Sequence, residues 1–358
     1  MRIALLPRID KKIYPETTSS RPLMVYNLAK GLVDLGHDVT TFTSKDAEIS
    51  GKIEPVIDTA FENIPPAENP AYQKAAYTTV QIEELIKKSG EFDIIHNHVY
   101  PEFWPILAAS RMQAPIITTI HNEILSHHNQ AFSYFKDLPF VALSESQKKL
   151  GKDVNYVDIV YNGIEVERFE FNDKPEDYLL FFGRMKKYKD GHGNMIDPKG
   201  AIDAIKIAKE TGEKLILAGN VEDPKYYKEE IEPHLSDKIK FIGPVSAVGP
   251  INHDQKVKLY KNAKAILSPI NWDEPFGLVM AEAMACGTPT LSFNRGAAAE
   301  VIKDKETGYI VKDHKEMVEK IKDINKISRK VCRKRVEENF SIRNMAEGYE
   351  RAYNKVIK

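Results

Sequence analysis

The 358-residue chain is predicted to be α/β, with two successive parallel-sheet domains. Three observations predict it. Short apolar runs of strand length alternate with helical patterns, and the rhythm restarts after about residue 170. The length also fits two domains at ~150 residues each.

In the first half, "RIALLP" (2–7), "DVTTFT" (38–43), "FDIIHN" (92–97), "APIITTI" (114–120) and "PFVALS" (139–144) read as strands. Most are continuously apolar, as strands covered on both faces require. The opening "MRIALLP" is too short for a signal-peptide core and reads as the first strand. Between the first two strands, Leu28, Leu32 and Leu35 fall at helical spacing and Gly36 serves as a stop. In the second half the strands are "YLLFFG" (178–183), "KLILAG" (214–219), "KIKFIG" (238–243) and "KAILSP" (264–269), with a helix over "AIDAIKIAKETG" (201–212). The stretch "EVERFEFNDKPED" (165–177) is polar and aperiodic, and is read as the break between domains 1–168 and 169–341. Such a chain places its ligand at the carboxyl ends of the strands, in a cleft that the domains face. No G-x-G-x-x-G follows the first strand, which weighs against a dinucleotide oxidoreductase.

Composition narrows the class. Hydrophobic residues make up 42% and charged residues 29%, ordinary values for a globular chain with a sizeable core. No apolar run approaches the ~20 residues of a membrane span. Cys286 and Cys332 form no ligand-spaced motif, so a reduced, cytoplasmic setting is the expectation. Residues 1–170 hold 17 Lys+Arg and 23 Asp+Glu, a balance of −6, and the remainder holds 34 and 29, a balance of +5. That weak polarity lacks the concentrated basic footprint of a nucleic-acid binder. It suits a second half that holds an anion, and equally an uneven surface without functional meaning.

One segment carries chemistry. In "WDEPFGLVMAEAMACGTP" (272–289), every residue from Leu278 to Cys286 is apolar except Glu282. Pro275 suits a first turn, so a helix is predicted from about Phe276 to Cys286, ending at Gly287. A helix apolar on all sides is buried. Glu282 inside it must then be hydrogen-bonded or paired, and sugar hydroxyls are suitable donors. The competing reading is a structural acid capped by neighbouring backbone. The amides of Phe276, Gly277 and Leu278 at the helix mouth offer a place for a phosphate. Glu274 waits beside them, so the segment reads as a site for a sugar–phosphate compound.

The stretch resembles the E-x7-E motif of family 4 of the retaining, GT-B glycosyltransferases. "GLVDLGHDVTTFTS", "FDIIHNH", "TTIHN", "VALSESQKK", "IVYNGIEVERF", "LLFFGRM", "LILAGNVEDPKYYKEEI" and "FIGPV" are similar to further family motifs, in the family's order. "NFSIRNMAEGYERAYNKVI" is similar to its C-terminal helix. The resemblance implies two Rossmann-like domains, an acceptor-side domain 1–168 with 342–358 packing back on it, and a donor-binding domain 169–341. It implies that Glu282 binds the donor ribose, that Glu274 touches hydroxyls of the transferred sugar, and that His121 lies near the reacting carbon. Arg184 and a lysine would neutralise the leaving diphosphate. Backbone near Gly243 to Val245 would contribute to donor recognition.

The chain departs from the family pattern in two places. "MKKYKDGHGNMIDP" separates Arg184 from Lys199, while Lys189 stands at the usual offset; Lys199 is preferred, because "DPKGAIDAI" keeps the family's lead into a helix. The inserted "YKDGHGN" reads as an adaptable loop. The family's Gly-Gly before the first long helix is Ser19-Ser20 here, and serine is less free at positive φ. Ser19 and Ser20 stay on the list of donor ligands as hydroxyl substitutes. His96, His98, His127 and His128 match no familiar metal-ligand spacing, so neither a metal nor another cofactor is expected.

The function so implied is transfer of a hexose from a nucleoside-diphosphate sugar, a UDP-sugar in preference to GDP-mannose, to an acceptor hydroxyl with retention. A nucleotide-sugar epimerase or glycosyl phosphorylase on the same fold, and a non-catalytic sugar-nucleotide binding protein, are the alternatives. The acidic first half points to a soluble acceptor, since anionic lipid attracts basic segments; membrane association stays open.

Overall fold

The computed structural model describes residues 1–190, 193–243 and 251–357. They divide into two compact units, residues 1–163 with the C-terminal segment from Ile342, and residues 164–341.

In the first unit, β1 (Arg2–Leu6), β2 (Asp38–Ser44), β3 (Lys52–Ile57), β4 (Ile94–Asn97), β5 (Ile116–Thr119), β6 (Phe140–Ala142) and β7 (Tyr156–Ile159) form one sheet. Its order is β3-β2-β1-β4-β5-β6-β7 and every neighbouring pair is parallel. The continuous apolarity of β1 has a direct cause in this arrangement. Ile3 and Leu5 face one core, with Leu28 and Leu32 of the helix Ser20–Asp34 and with Met345, Tyr349 and Tyr353 of the helix Ile342–Val356. Ala4 and Leu6 face another, with Ile82 and Leu85 of the helix Pro70–Lys88. Burying each large side chain stabilises the unit by about 1.5–3 kcal/mol, so a polar residue at any of these positions is costly.

In the second unit, β8 (Leu179–Phe182), β9 (Tyr188–Lys189), β10 (Met195–Ile196), β11 (Leu215–Ala218), β12 (Ile239–Ile242), β13 (Ala265–Ser268), β14 (Thr290–Phe293) and β15 (Gly308–Val311) occur in chain order. Six of them make a parallel sheet of order β12-β11-β8-β13-β14-β15. The remaining two, β9 and β10, pair antiparallel as a short ribbon at the two ends of the inserted stretch, of which Gly191 and His192 lie outside the described residues. Asp190 Oδ1 accepts from the Asn194 amide at 2.9 Å.

Besides the ribbon, four strands escape the sequence reading. Strand β3 is an edge strand bearing Pro55, which a sheet tolerates only there, and β7 is partly exposed at the other edge. Strands β14 and β15 are four residues each, and β14 buries Thr290 and Ser292 where a run of aliphatic side chains would have drawn attention. Among the described residues no helix is long and apolar enough to cross a membrane.

Candidate functional site

The sugar–phosphate segment folds as a buried helix, but it starts later than expected. It spans Leu278–Ala285, with Gly277 before it at φ +97°. That left-handed conformation breaks the helix off from Pro275 and Phe276, and a side chain at position 277 would run into Met280. Phe276 is thus not a first-turn residue. Its ring is buried edge-on against Phe340, with centroids 5.5 Å apart. Helix geometry leaves the amides of Leu278 and Val279 without intrahelical acceptors, at the positive end of the dipole.

Glu282 is 5% exposed. Its carboxylate accepts from Lys256 Nζ at 2.8 Å through Oε1 and from the Tyr260 hydroxyl at 3.0 Å through Oε2. The acid is therefore paired by side chains of the helix His253–Asn262, not capped by neighbouring backbone. A carboxylate has about four lone-pair sites, so these two bonds leave capacity for further donors. Neither partner stood out in sequence. The available signal is that Lys256 and Tyr260 are four residues apart, on one helix face.

Glu274 and Lys199 form an ion pair, with side chains 15% and 20% exposed. Trp272 closes around it: its indole N–H donates to Glu274 Oε2 at 3.1 Å, and the Lys199 ammonium stands 4.7 Å from its ring centroid. The backbone of Glu274 is held by Gly296-Ala297, whose Ala297 amide donates to Glu274 O at 2.8 Å. Lys199 precedes the helix Ala201–Thr211, with Gly200 between them at φ +78° and pressed against the Pro269 carbonyl. Asp197 caps that helix start. It accepts from the Gly200 amide at 3.0 Å, the Ile202 amide at 3.2 Å and the Tyr226 hydroxyl at 2.6 Å. Burial pushes its carboxyl up, against these hydrogen bonds, which pull it down.

Arg184 is a neighbour of this group rather than part of its ion pair. A Cβ added at Gly183 would lie 3.3 Å from Lys199 Cβ, so the lysine stem passes beside the end of β8. The Arg184 side chain is 51% exposed and meets Glu222 at 3.3 Å, which also takes Lys186 at 2.8 Å. Lys189 lies on the exposed ribbon, away from these contacts. Val245 lies outside the described residues.

In the first unit His121 follows β5, and its Nε2 is 2.8 Å from His98 Nδ1. His98 lies tilted against His96, with centroids 3.9 Å apart, and His96 bonds to Thr119 and Tyr353 at 2.8 and 2.7 Å. Burial drives His98 down to about 3 and pushes His96 and His121 well down too, so all three are neutral near pH 7. Among the described residues no group of three or more His, Cys, Asp or Glu is placed to hold a metal ion. Ser19 caps the helix Ser20–Asp34 at φ −82°, and neither serine adopts a positive φ. The turn therefore has no need of glycine at these positions.

Residues 164–339 match the family model described as Glycosyl transferases group 1, and residues 23–168 match that described as Glycosyltransferase Family 4. D-inositol 3-phosphate glycosyltransferase 2 of Catenulispora acidiphila is 25% identical over 372 residues, spanning 87% of this chain and 83% of the relative. Sucrose-phosphate synthase of Thermosynechococcus elongatus superposes with a TM-score of 0.75 at 18% identity, over 99% of this chain and 98% of that one. HepE of Anabaena, solved in complex with UDP-glucose, superposes with a TM-score of 0.68 at 15% identity, over 99% and 100% of the two chains.

Proposed function

Given that this chain belongs to the group 1, family 4 glycosyltransferases and has their GT-B fold, we propose that it moves a hexose from a nucleoside-diphosphate sugar to an acceptor hydroxyl with retention at the anomeric carbon. The observation that carries this reading is the pairing of Lys199 with Glu274 beside a helix mouth that leads to buried Glu282. Those are a cation for a diphosphate, a carboxylate for sugar hydroxyls and a carboxylate for a ribose, supplied by one unit.

In this reading Glu274 neutralises Lys199 until donor arrives. The diphosphate then takes the ammonium, with Arg184 and the amides of Leu278 and Val279 beside it, and Glu274 turns to the hexose hydroxyls. Donors placed where charge develops on the leaving phosphate stabilise the transition state directly. We assign that neutralisation to these groups and not to a metal ion or other cofactor. No side chain is assigned as a nucleophile; the acceptor attacks from the face the phosphate leaves, and the phosphate takes its proton. Neutral His121, touching His98, serves as a hydrogen-bonding group near the transferred sugar. The UDP-glucose bound by HepE supports a UDP donor over GDP-mannose. We place the acceptor among soluble hydroxyl compounds and the reaction in the cytoplasm.

A thermal-shift screen of nucleotides and nucleotide sugars tests the reading, because a ligand at 100 times its Kd stabilises by about 2.7 kcal/mol. UDP and UDP-hexoses are expected to raise Tm, and product analysis with and without acceptor to show transfer. A larger shift with GDP-mannose would reverse the base assignment. An unchanged Tm with every nucleotide, confirmed by calorimetry, would refute the donor site.

A further inference from the structure

A second charge cluster lies wholly in the first unit, where the strand order reverses. In the order β2-β1-β4-β5 the reversal falls between β1 and β4. Ligands of open α/β sheets collect outside the carboxyl ends of the strands at such a point. Arg8 follows β1, Tyr100 and Glu102 follow β4, and Asn122 follows β5. Arg21 joins them from the start of the helix Ser20–Asp34.

The guanidiniums of Arg8 and Arg21 stand over the same Tyr100 ring, 5.4 and 4.5 Å from its centroid. Asp10 takes two cations: Arg8 Nε donates to it at 2.7 Å and Lys74 at 2.9 Å. Arg21 is bonded instead to a neutral group, the side-chain oxygen of Asn122. Its Nη1 is buried without a hydrogen-bond partner, as is Oε1 of Glu102. Glu102 faces Arg21 as a counter-charge, with burial pushing its carboxyl up and Arg21 pulling it down. Arg8, Arg21 and Lys74 against Asp10 and Glu102 leave a local excess of one positive charge, in a half of the chain that is acidic overall. An orphaned buried donor on a charged group is costly, and a guanidinium fork fits a phosphate. A phosphate monoester carries about −1.5 to −2 near neutral pH, opposite in sign to that excess.

We infer that Arg21, with Arg8 and Lys74 beside it, binds the phosphate of the acceptor, which is therefore a small sugar or polyol phosphate with a free hydroxyl. This deepens the glycosyl-transfer reading and rests on it, since that reading makes the first unit the acceptor's.

Calorimetry on the full chain tests it, with hexose 6-phosphates, pentose 5-phosphates and inositol phosphates against their unphosphorylated parents and against hexuronates. UDP is titrated separately. At least one phosphate ester is expected to bind about 10- to 100-fold more tightly than its parent, the range of one or two charge-assisted hydrogen bonds. Arg21→Gln is expected to remove that advantage while UDP affinity stays within about twofold. Arg8→Gln is expected to weaken it in the same direction and serves if the first variant fails to fold. Phosphates no tighter than their parents, hexuronates binding as tightly, or loss of UDP affinity in Arg21→Gln would each overturn the inference. The donor reading fails separately, when no nucleotide binds the wild-type chain.

Discussion

Glu282→Ala is expected to abolish nucleotide binding, with affinity falling at least 100-fold. The carboxylate is 5% exposed and already engaged by Lys256 and Tyr260. On the proposed role, its remaining lone pairs take the ribose hydroxyls, so the alanine removes both acceptors at once. The substitution has a second effect that must be separated from the first. The Lys256 side chain is 15% exposed and would be left as a mostly buried cation without its counter-ion. Breaking one side of a buried pair typically costs about 3–5 kcal/mol, so the single variant should also lose stability. Lys256→Met combined with Glu282→Ala removes both charges and is expected to recover much of the Tm without recovering binding. Calorimetry with UDP on the refolded double variant therefore isolates the ligand role. Affinity within twofold of wild type in that variant would leave Glu282 a purely structural acid.

The second large effect concerns the diphosphate lysine. Lys199→Ala is expected to lower turnover on the order of 10²–10³-fold, the size of an oxyanion-type contact, whereas Lys189→Ala changes it less than about threefold. Lys199 is fixed in a charged group: it pairs with Glu274, lies along the Trp272 ring and precedes a helix whose start is tied down by Asp197. Lys189 sits on an exposed two-residue strand. Steady-state kinetics of both variants with saturating donor decide the matter, and the opposite order would transfer the assignment to Lys189.

How far the sequence carries depends on where a constraint is written. The buried central strands were legible because β1 must satisfy two cores at once, one through Ile3 and Leu5 and the other through Ala4 and Leu6. The edge strands were not, since β3 and β7 face solvent in part and need no such run. In the candidate site, Glu282 announced itself as an acid in an apolar helix, but its partner did not. Lys256 lies in "HDQKVKLYKN", a stretch with three lysines that looks like a solvated face. Only the fold places one of those lysines against a carboxylate 26 residues further on. The helix boundary was misplaced for a local reason: Pro275 is a valid first-turn residue, but Gly277 adopts a left-handed conformation that restarts the chain direction. Asp197 and Trp272 act locally, Asp197 on the amides of Gly200 and Ile202 and Trp272 on the acid two residues ahead, but the pairing of Lys199 with Glu274 spans 75 residues and leaves no spacing to read.

The most direct test of the central claim is a crystal structure of the chain with UDP or a UDP-hexose bound. The account predicts diphosphate oxygens within hydrogen-bond distance of the Leu278 and Val279 amides and the ribose hydroxyls on Glu282. A well-ordered nucleotide bound elsewhere, with that helix mouth empty, would contradict it.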